Sequence, residues 1–263
     1  MKLKTIFIIF NVIVLISFLF VFLMPVFFLG GDYARVFWAD NWYLALLFVA
    51  VLAVLNGYFV YNWKLFTALE REDWDSVIAV LEDRLYQKKR WTVGNVRLVV
   101  NAYVVTGHTD KITALENHIR SDKPALLAKV ALILGIPHLL ANDGERLATF
   151  FSEFRGKGST ESRRWVEWYY GFSRMLQQDG AGAKEVLLPI ASEEKNDLPA
   201  VLSAYLLEAF RSQEDVQSVV DSTKSRMQNA YPRSQWDRII SRKRSDLHVL
   251  VLSRLLDEVT DWL

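Results

Sequence analysis

Four histidines, His108, His118, His138 and His248, are the first residues to weigh for chemistry, because imidazole titrates near neutrality and ligates metals. No two stand as His-x3-His, and none sits beside a glutamate at a metalloenzyme spacing. The chain has no cysteine, which removes thiolate ligands, thiol nucleophiles and disulfides. His108 and His138 fall at or near helix breaks and read as exposed turn residues. Arg155-Gly156-Lys157-Gly158-Ser159-Thr160 has the composition of a phosphate loop, but a Walker loop needs an earlier glycine, Ser/Thr directly after its lysine, and a preceding strand. A helix-to-helix loop ending in a Ser159 or Thr160 N-cap accounts for the segment. There is no Gly-x-Ser-x-Gly elbow, and the acidic pairs Glu82-Asp83, Glu193-Glu194 and Asp257-Glu258 are spaced as helix-surface or turn residues. No catalytic, cofactor-binding or metal-ligating residue is assigned, and a binding protein is expected rather than an enzyme.

Two basic clusters remain, Lys88-Lys89-Arg90 and Arg242-Lys243-Arg244. Both read as solvated turns, with anionic headgroups the alternative for the first and an acidic partner or RNA the alternative for the second. Trp165, Trp168, Tyr169 and Phe172 share one helix face and read as core, with Tyr170 off that face.

The elements that must carry these residues divide sharply. Residues 5 to 60 contain only three charged side chains, Asp32, Arg35 and Asp40. Removing these with Lys2 and Lys4 from the 31 basic and 30 acidic residues leaves 28 of each from Lys64 onward, a neutrality that argues against nucleic-acid binding. Thr5 to Leu29 is uncharged and, at 1.5 Å per residue, ~37 Å long as a helix, enough to span a bilayer. It ends Leu23-Met24-Pro25-Val26-Phe27-Phe28, a poor signal-peptidase site. A polar turn of about ten residues follows, then a second uncharged run from Asn41 to Asn62, with Trp38, Trp42 and Tyr43 at one end and Tyr58, Tyr61 and Trp63 at the other. Lys2, Lys4 and Lys64 flank the hairpin outside its turn, which predicts both termini and the following domain in the cytoplasm. Lys2, Lys4, Trp38, Trp42, Trp63 and Lys64 are the candidate membrane-interface residues.

Downstream, every strong periodicity is helical, as in Trp74, Val77, Ile78, Leu81 and Leu85. Tight breaks fall near residues 72, 107, 144, 180 and 214, at steps of 35, 37, 36 and 34, with looser breaks between them. That alternation is the signature of a helical-hairpin solenoid. The stretch Ala102-Tyr103, Gly107, Asp110 and Pro124 resembles a tetratricopeptide repeat, and Glu72-Asp73-Trp74-Asp75 resembles the same turn without its glycine. The resemblance covers about residues 60 to 230. Val96, Val99, Val100 and Ile112 depart from the family's pattern, and Pro137 and Pro189 interrupt helices. It implies a concave protein-binding surface.

The expected fold is all-α, with a transmembrane hairpin (1–63, spans about 5–29 and 41–62), a tetratricopeptide-like α-solenoid of about five hairpins (64–230) and C-terminal capping helices (231–263). The expected role is a scaffold or assembly factor for an inner-membrane complex serving the envelope, secretion or motility, with protein partners and the lipid bilayer, no nucleic acid and no small-molecule substrate. The alternative is an accessory or regulatory subunit of a transporter or membrane enzyme, its hairpin packing through Asn11, Ser17, Gly57 and nearby alanines.

Overall fold

The computed structural model describes residues 3–263, and every regular element among them is helical. Two compact units divide between Asp83 and Arg84, some twenty residues beyond the boundary expected at 63/64.

The first unit holds α1 (Leu3–Leu29), α2 (Gly31–Glu70) and α3 (Trp74–Glu82). Both α1 and α2 are long and apolar enough to cross a membrane, and neither buries its most apolar window. They pack antiparallel through ring stacks, Phe7 on Phe59 at 4.1 Å and Phe18 on Phe48 at 4.0 Å. Between the stacks, Asn56 Nδ2 donates to Asn11 Oδ1 at 2.9 Å. Asn11 therefore serves the hairpin's own interior. The polar segment expected as a turn is instead helical: α2 begins at Gly31 and kinks at Asn41 (φ −120°, ψ 22°). Trp38 holds this first piece back on α1, stacking on Phe22 at 4.1 Å and donating its indole N–H to the Phe22 carbonyl at 3.2 Å. The Asn41 amide donates to the Phe37 carbonyl at 2.8 Å, giving the disturbed helix a substitute bond at the kink. Beyond the kink α2 runs without a break to Glu70, where Leu65 and Ala68 bury against α3 residues Val77, Ile78 and Leu81.

The second unit contains α4 (Val93–Val105), α5 (Thr109–Asp122), α6 (Pro124–Leu134), α7 (Ile136–Leu140), α8 (Gly144–Ser152), α9 (Thr160–Leu176), α10 (Gly180–Ser192), α11 (Leu198–Leu207), α12 (Glu214–Ala230), α13 (Arg233–Lys243), α14 (Leu247–Leu250) and α15 (Ser253–Trp262). The pairs α4–α5, α6/α7–α8, α9–α10 and α11–α12 are hairpins, and with the end of α2 against α3 they make five. Within this unit, first helices contact the next first helix, α4 with α6, α6 with α9 and α9 with α11, as a solenoid requires. Pro137 sits at the start of α7, just past a break at Gly135, whereas α10 continues through Pro189.

The tight turns share one backbone device. Glu72, Gly107, Asn142 and Gln178 all have φ between 52° and 76°, and they recur at steps of 35, 35 and 36 residues. In each, the next residue's N–H reaches back to the carbonyl five positions earlier: Asp73 to Ala68, His108 to Tyr103, Asp143 to His138 and Asp179 to Arg174. This is the helix C-terminal closure that glycine usually serves, kept in three turns without glycine. Asp73, Asp143 and Asp179 then accept an N–H of the next helix, from Ser76, Arg146 and Gly182. Close helix approach matters as much: a Cβ on Gly171 would lie 2.6 Å from Leu187 Cδ2, so α9 and α10 meet where no side chain fits.

The C-terminal helices do more than close the last hairpin. Trp236 of α13 is 2% exposed, and its indole N–H donates to the Met227 carbonyl at 3.4 Å. Then α14 packs on α6, and α15 packs on α11 and α13. The apolar stripe read as Leu247, Leu250, Val251, Leu255 and Val259 is shifted. A turn at Val251-Leu252 breaks the phase, so His248, Val249, Leu252, Leu256 and Val259 are buried and Leu250 is 45% exposed.

Candidate partner-binding face

Helix α9 sits in the middle of the second unit, packed against α6, α8, α10 and α11. It starts where Ser159 Oγ accepts the Ser162 N–H at 3.3 Å, the N-cap role expected for the Gly-rich loop. One turn in, Arg164 is buried, with Nε and Nη2 on Asp197 at 2.7 and 3.0 Å and Nη1 on Glu193. Asp197 also caps α11 through the Ala200 N–H at 3.1 Å, so one carboxylate fixes α11 against α9. Thr160, Glu161, Trp165, Lys195 and Lys243 line a cleft of about 320 Å³ beside this knot.

Trp165, Trp168 and Tyr169 are buried on one face of α9, as their spacing predicts, and Tyr169 stacks on Phe151 at 5.0 Å. Tyr170 turns outward between the guanidiniums of Arg155 and Arg174, 4.5 and 5.5 Å from its ring. The aromatic face receives His248: its ring meets the edge of Trp165 at 5.2 Å, and the Tyr169 hydroxyl donates to its backbone carbonyl. Burial pushes the Tyr169 hydroxyl up and lowers the His248 pKa to about 4. Asp246 and Glu161 favour the charged imidazole, Arg97 and Lys243 oppose it, and burial outweighs them all. His248 Nε2 and Trp168 Nε1 are buried without a partner.

Farther along, α15 lies on α11. Trp262 Nε1 donates to Glu208 Oε1 at 2.7 Å, Lys224 Nζ lies 4.6 Å from the indole, and the Tyr205 hydroxyl donates to Glu258 at 3.2 Å. Arg233 pairs with Asp261 at 2.9 Å and Arg244 with Asp257. This is the chemistry of helix recognition: an apolar seam with charged and aromatic edges.

The residues singled out from sequence fall in separate places. Lys2 lies outside the described residues, as does the Lys4 side chain. Trp38 is half-buried inside the apolar hairpin, Trp42 is exposed, and Trp63 is half-buried near Phe59 with exposed Lys64 beside it. Trp42 and Tyr61 stand nineteen residues apart on α2, ~29 Å along the axis, close to the ~30 Å of a bilayer core. Lys88, Lys89 and Arg90 are exposed after a π-helical turn at Asp83–Gln87. The second basic cluster fans out. Arg242 joins Arg238 and Gln235 along a cleft of about 590 Å³, Lys243 pairs with Glu161 at 2.6 Å, and Arg244 turns to Asp257. Among the described residues no three His, Asp or Glu side chains gather as metal ligands. Sequence reasoning missed Arg164, Asp197, Tyr205, Glu208 and Trp262, and it weighed His248 without finding its place against α9. One signal pointed to them: α11, Leu-Pro-Ala-Val-Leu-Ser-Ala-Tyr-Leu-Leu, is apolar around its circumference and so needs cover on two sides.

A family model described as uncharacterised Treponema protein matches residues 111–263, from α5 through the C-terminal helices. An uncharacterized protein of Treponema pallidum (strain Nichols) is 24% identical over 231 residues, covering 83% of this chain and 74% of the relative. That coverage exceeds the family region, so the similarity extends before Lys111. No solved structure matches.

Proposed function

The chain belongs to the family described as uncharacterised Treponema protein, and from that premise we propose that it is a membrane-anchored interaction scaffold or assembly factor, its α1–α2 hairpin in the inner membrane and its tetratricopeptide-like solenoid in the cytoplasm. The observation carrying this reading is the covalent union of an apolar hairpin, exposed along both helices, with a stack of helical hairpins. Exposed apolar helices are stable where lipid replaces water, with the aromatic rings of α2 at the two headgroup levels. A stacked-hairpin surface held in the membrane plane raises the effective concentration of whatever binds it. Lys64 near the end of α2 and Arg71 just after it favour the cytoplasmic side.

Two measurements test this. Reporter fusions at Asp32 and after Leu263 are expected on opposite sides of the membrane, and the same side for both would refute the topology. Affinity purification of the full chain is expected to retain a protein partner that is lost when residues 84–263 are deleted. Retention by the hairpin alone would favour the accessory-subunit reading. That reading has its own support in an apolar cleft of about 600 Å³ on the hairpin, lined by Phe18, Phe22, Met24, Phe28, Trp38 and Phe48.

A further inference from the structure

A first helix in a two-layer hairpin stack buries one stripe against its neighbours. α11 buries eight of its ten residues, and the side left over by α9, α10 and α12 is covered by α15. The cover is a helix of marked two-sidedness: Leu256 and Val259 are fully buried, while Arg254, Asp257, Glu258 and Asp261 face out. The groove that holds it offers an apolar wall, the Tyr205 hydroxyl, the Glu208 carboxylate for an indole N–H, Lys224 near the indole ring, and Arg233 and Arg244 for two aspartates. In effect a helix-in-groove complex exists in which both partners belong to one chain.

We propose that this groove is a recognition site for an acidic amphipathic helix bearing a tryptophan, presented by a partner protein, and that α15 is the occupant such a helix replaces. The proposal rests on the scaffold reading and names the partner's chemistry. Two features make α15 replaceable. Its ion pair to Arg233 is solvent-exposed and its ion pair to Arg244 is open to solvent on the Asp257 side, so water competes for both. The turn at Val251-Leu252 separates it from α14, so it can leave while His248 stays seated on α9. Charge complementarity, acidic helix against arginines and a lysine, sets the choice of incoming helix. Because α15 is tethered, its effective concentration is of millimolar order, and a competitor gains most when it is confined to the same membrane.

The chain's lack of cysteine makes the test clean. A double variant, Gln228→Cys with Leu263→Cys, at the place where the Gln228 amide donates to the Leu263 carbonyl, is purified at full length in detergent and measured before and after bridging with a bis-maleimide. The probe is a fluorescent peptide of residues 252–263. Wild-type and unbridged proteins are expected to bind it, and bridging to weaken binding at least tenfold. A peptide carrying Trp262→Ala, Asp257→Lys and Asp261→Lys is expected to compete at least tenfold less well. Equal binding by bridged and unbridged protein, or no binding by either, overturns the proposal. A partner that co-purifies with the full chain and resists displacement by the peptide leaves the scaffold standing and removes this inference alone.

Discussion

Single residues carry two tensions that can be measured. Gln178 adopts a left-handed conformation without being glycine, a strain of ~1 kcal/mol or more. Gln178→Gly is expected to raise the unfolding free energy by up to ~1 kcal/mol in denaturant titration, while Asp179→Ala, which removes the cap on Gly182, lowers it by ~1 kcal/mol. The second tension is His248. Its folded pKa of about 4 lies below the ordinary 6.5, so the folded state binds fewer protons than the unfolded one between those values. The stability tied to a neutral His248 is fully present above pH 6.5 and lost as pH falls toward 4, by ~3 kcal/mol in all. Thermal melts at pH 7.5 and 5 are expected to diverge, and His248→Leu to reduce the divergence. The strained turns were legible in sequence as breaks at 72, 107, 144 and 180, because chain reversal and capping use local residues. His248 was not, because its environment comes from α9, far away in sequence.

At the scale of elements, the joint between α9 and α11 is the most exposed to test. Asp197 both pairs with buried Arg164 and caps α11 through its side chain, whereas Glu193 pairs with Arg164 and with exposed Lys195. Asp197→Ala is therefore expected to cost ~2–3 kcal/mol and Glu193→Ala ~1 kcal/mol or less, since its carboxylate is half-exposed. Gly171→Ala, forcing Leu187 to move, is expected to cost ~1–3 kcal/mol, read by the same titration. Helix existence was legible from the 3.6-residue period, and so was the core face of α9. The helical segment Gly31–Asp40 was not: its polar residues read as a turn, but Trp38 anchors it to α1 through Phe22. Nor was the phase of the C-terminal stripe, which a two-residue turn resets.

For the second unit as a whole, the C-terminal return changes what kind of stack this is. An open array of hairpins unfolds piecewise, because each unit touches only its neighbours. Here α14 reaches α6 and α15 reaches α11, so ends and middle are joined. A single steep transition in residues 84–263 is expected by both circular dichroism and tryptophan fluorescence, and Tyr169→Phe, losing the bond to the His248 carbonyl, is expected to lower its midpoint by the equivalent of ~1 kcal/mol. That same bond has a kinetic consequence. It closes a loop of 79 residues, where each helical hairpin closes a short one. Hairpins with local contacts form fast, while a contact of that span must wait for the search of a long intervening chain. Refolding should thus separate into quick helix formation and a slower gain of tryptophan burial, with the C-terminal helices arriving last on a face already built for them.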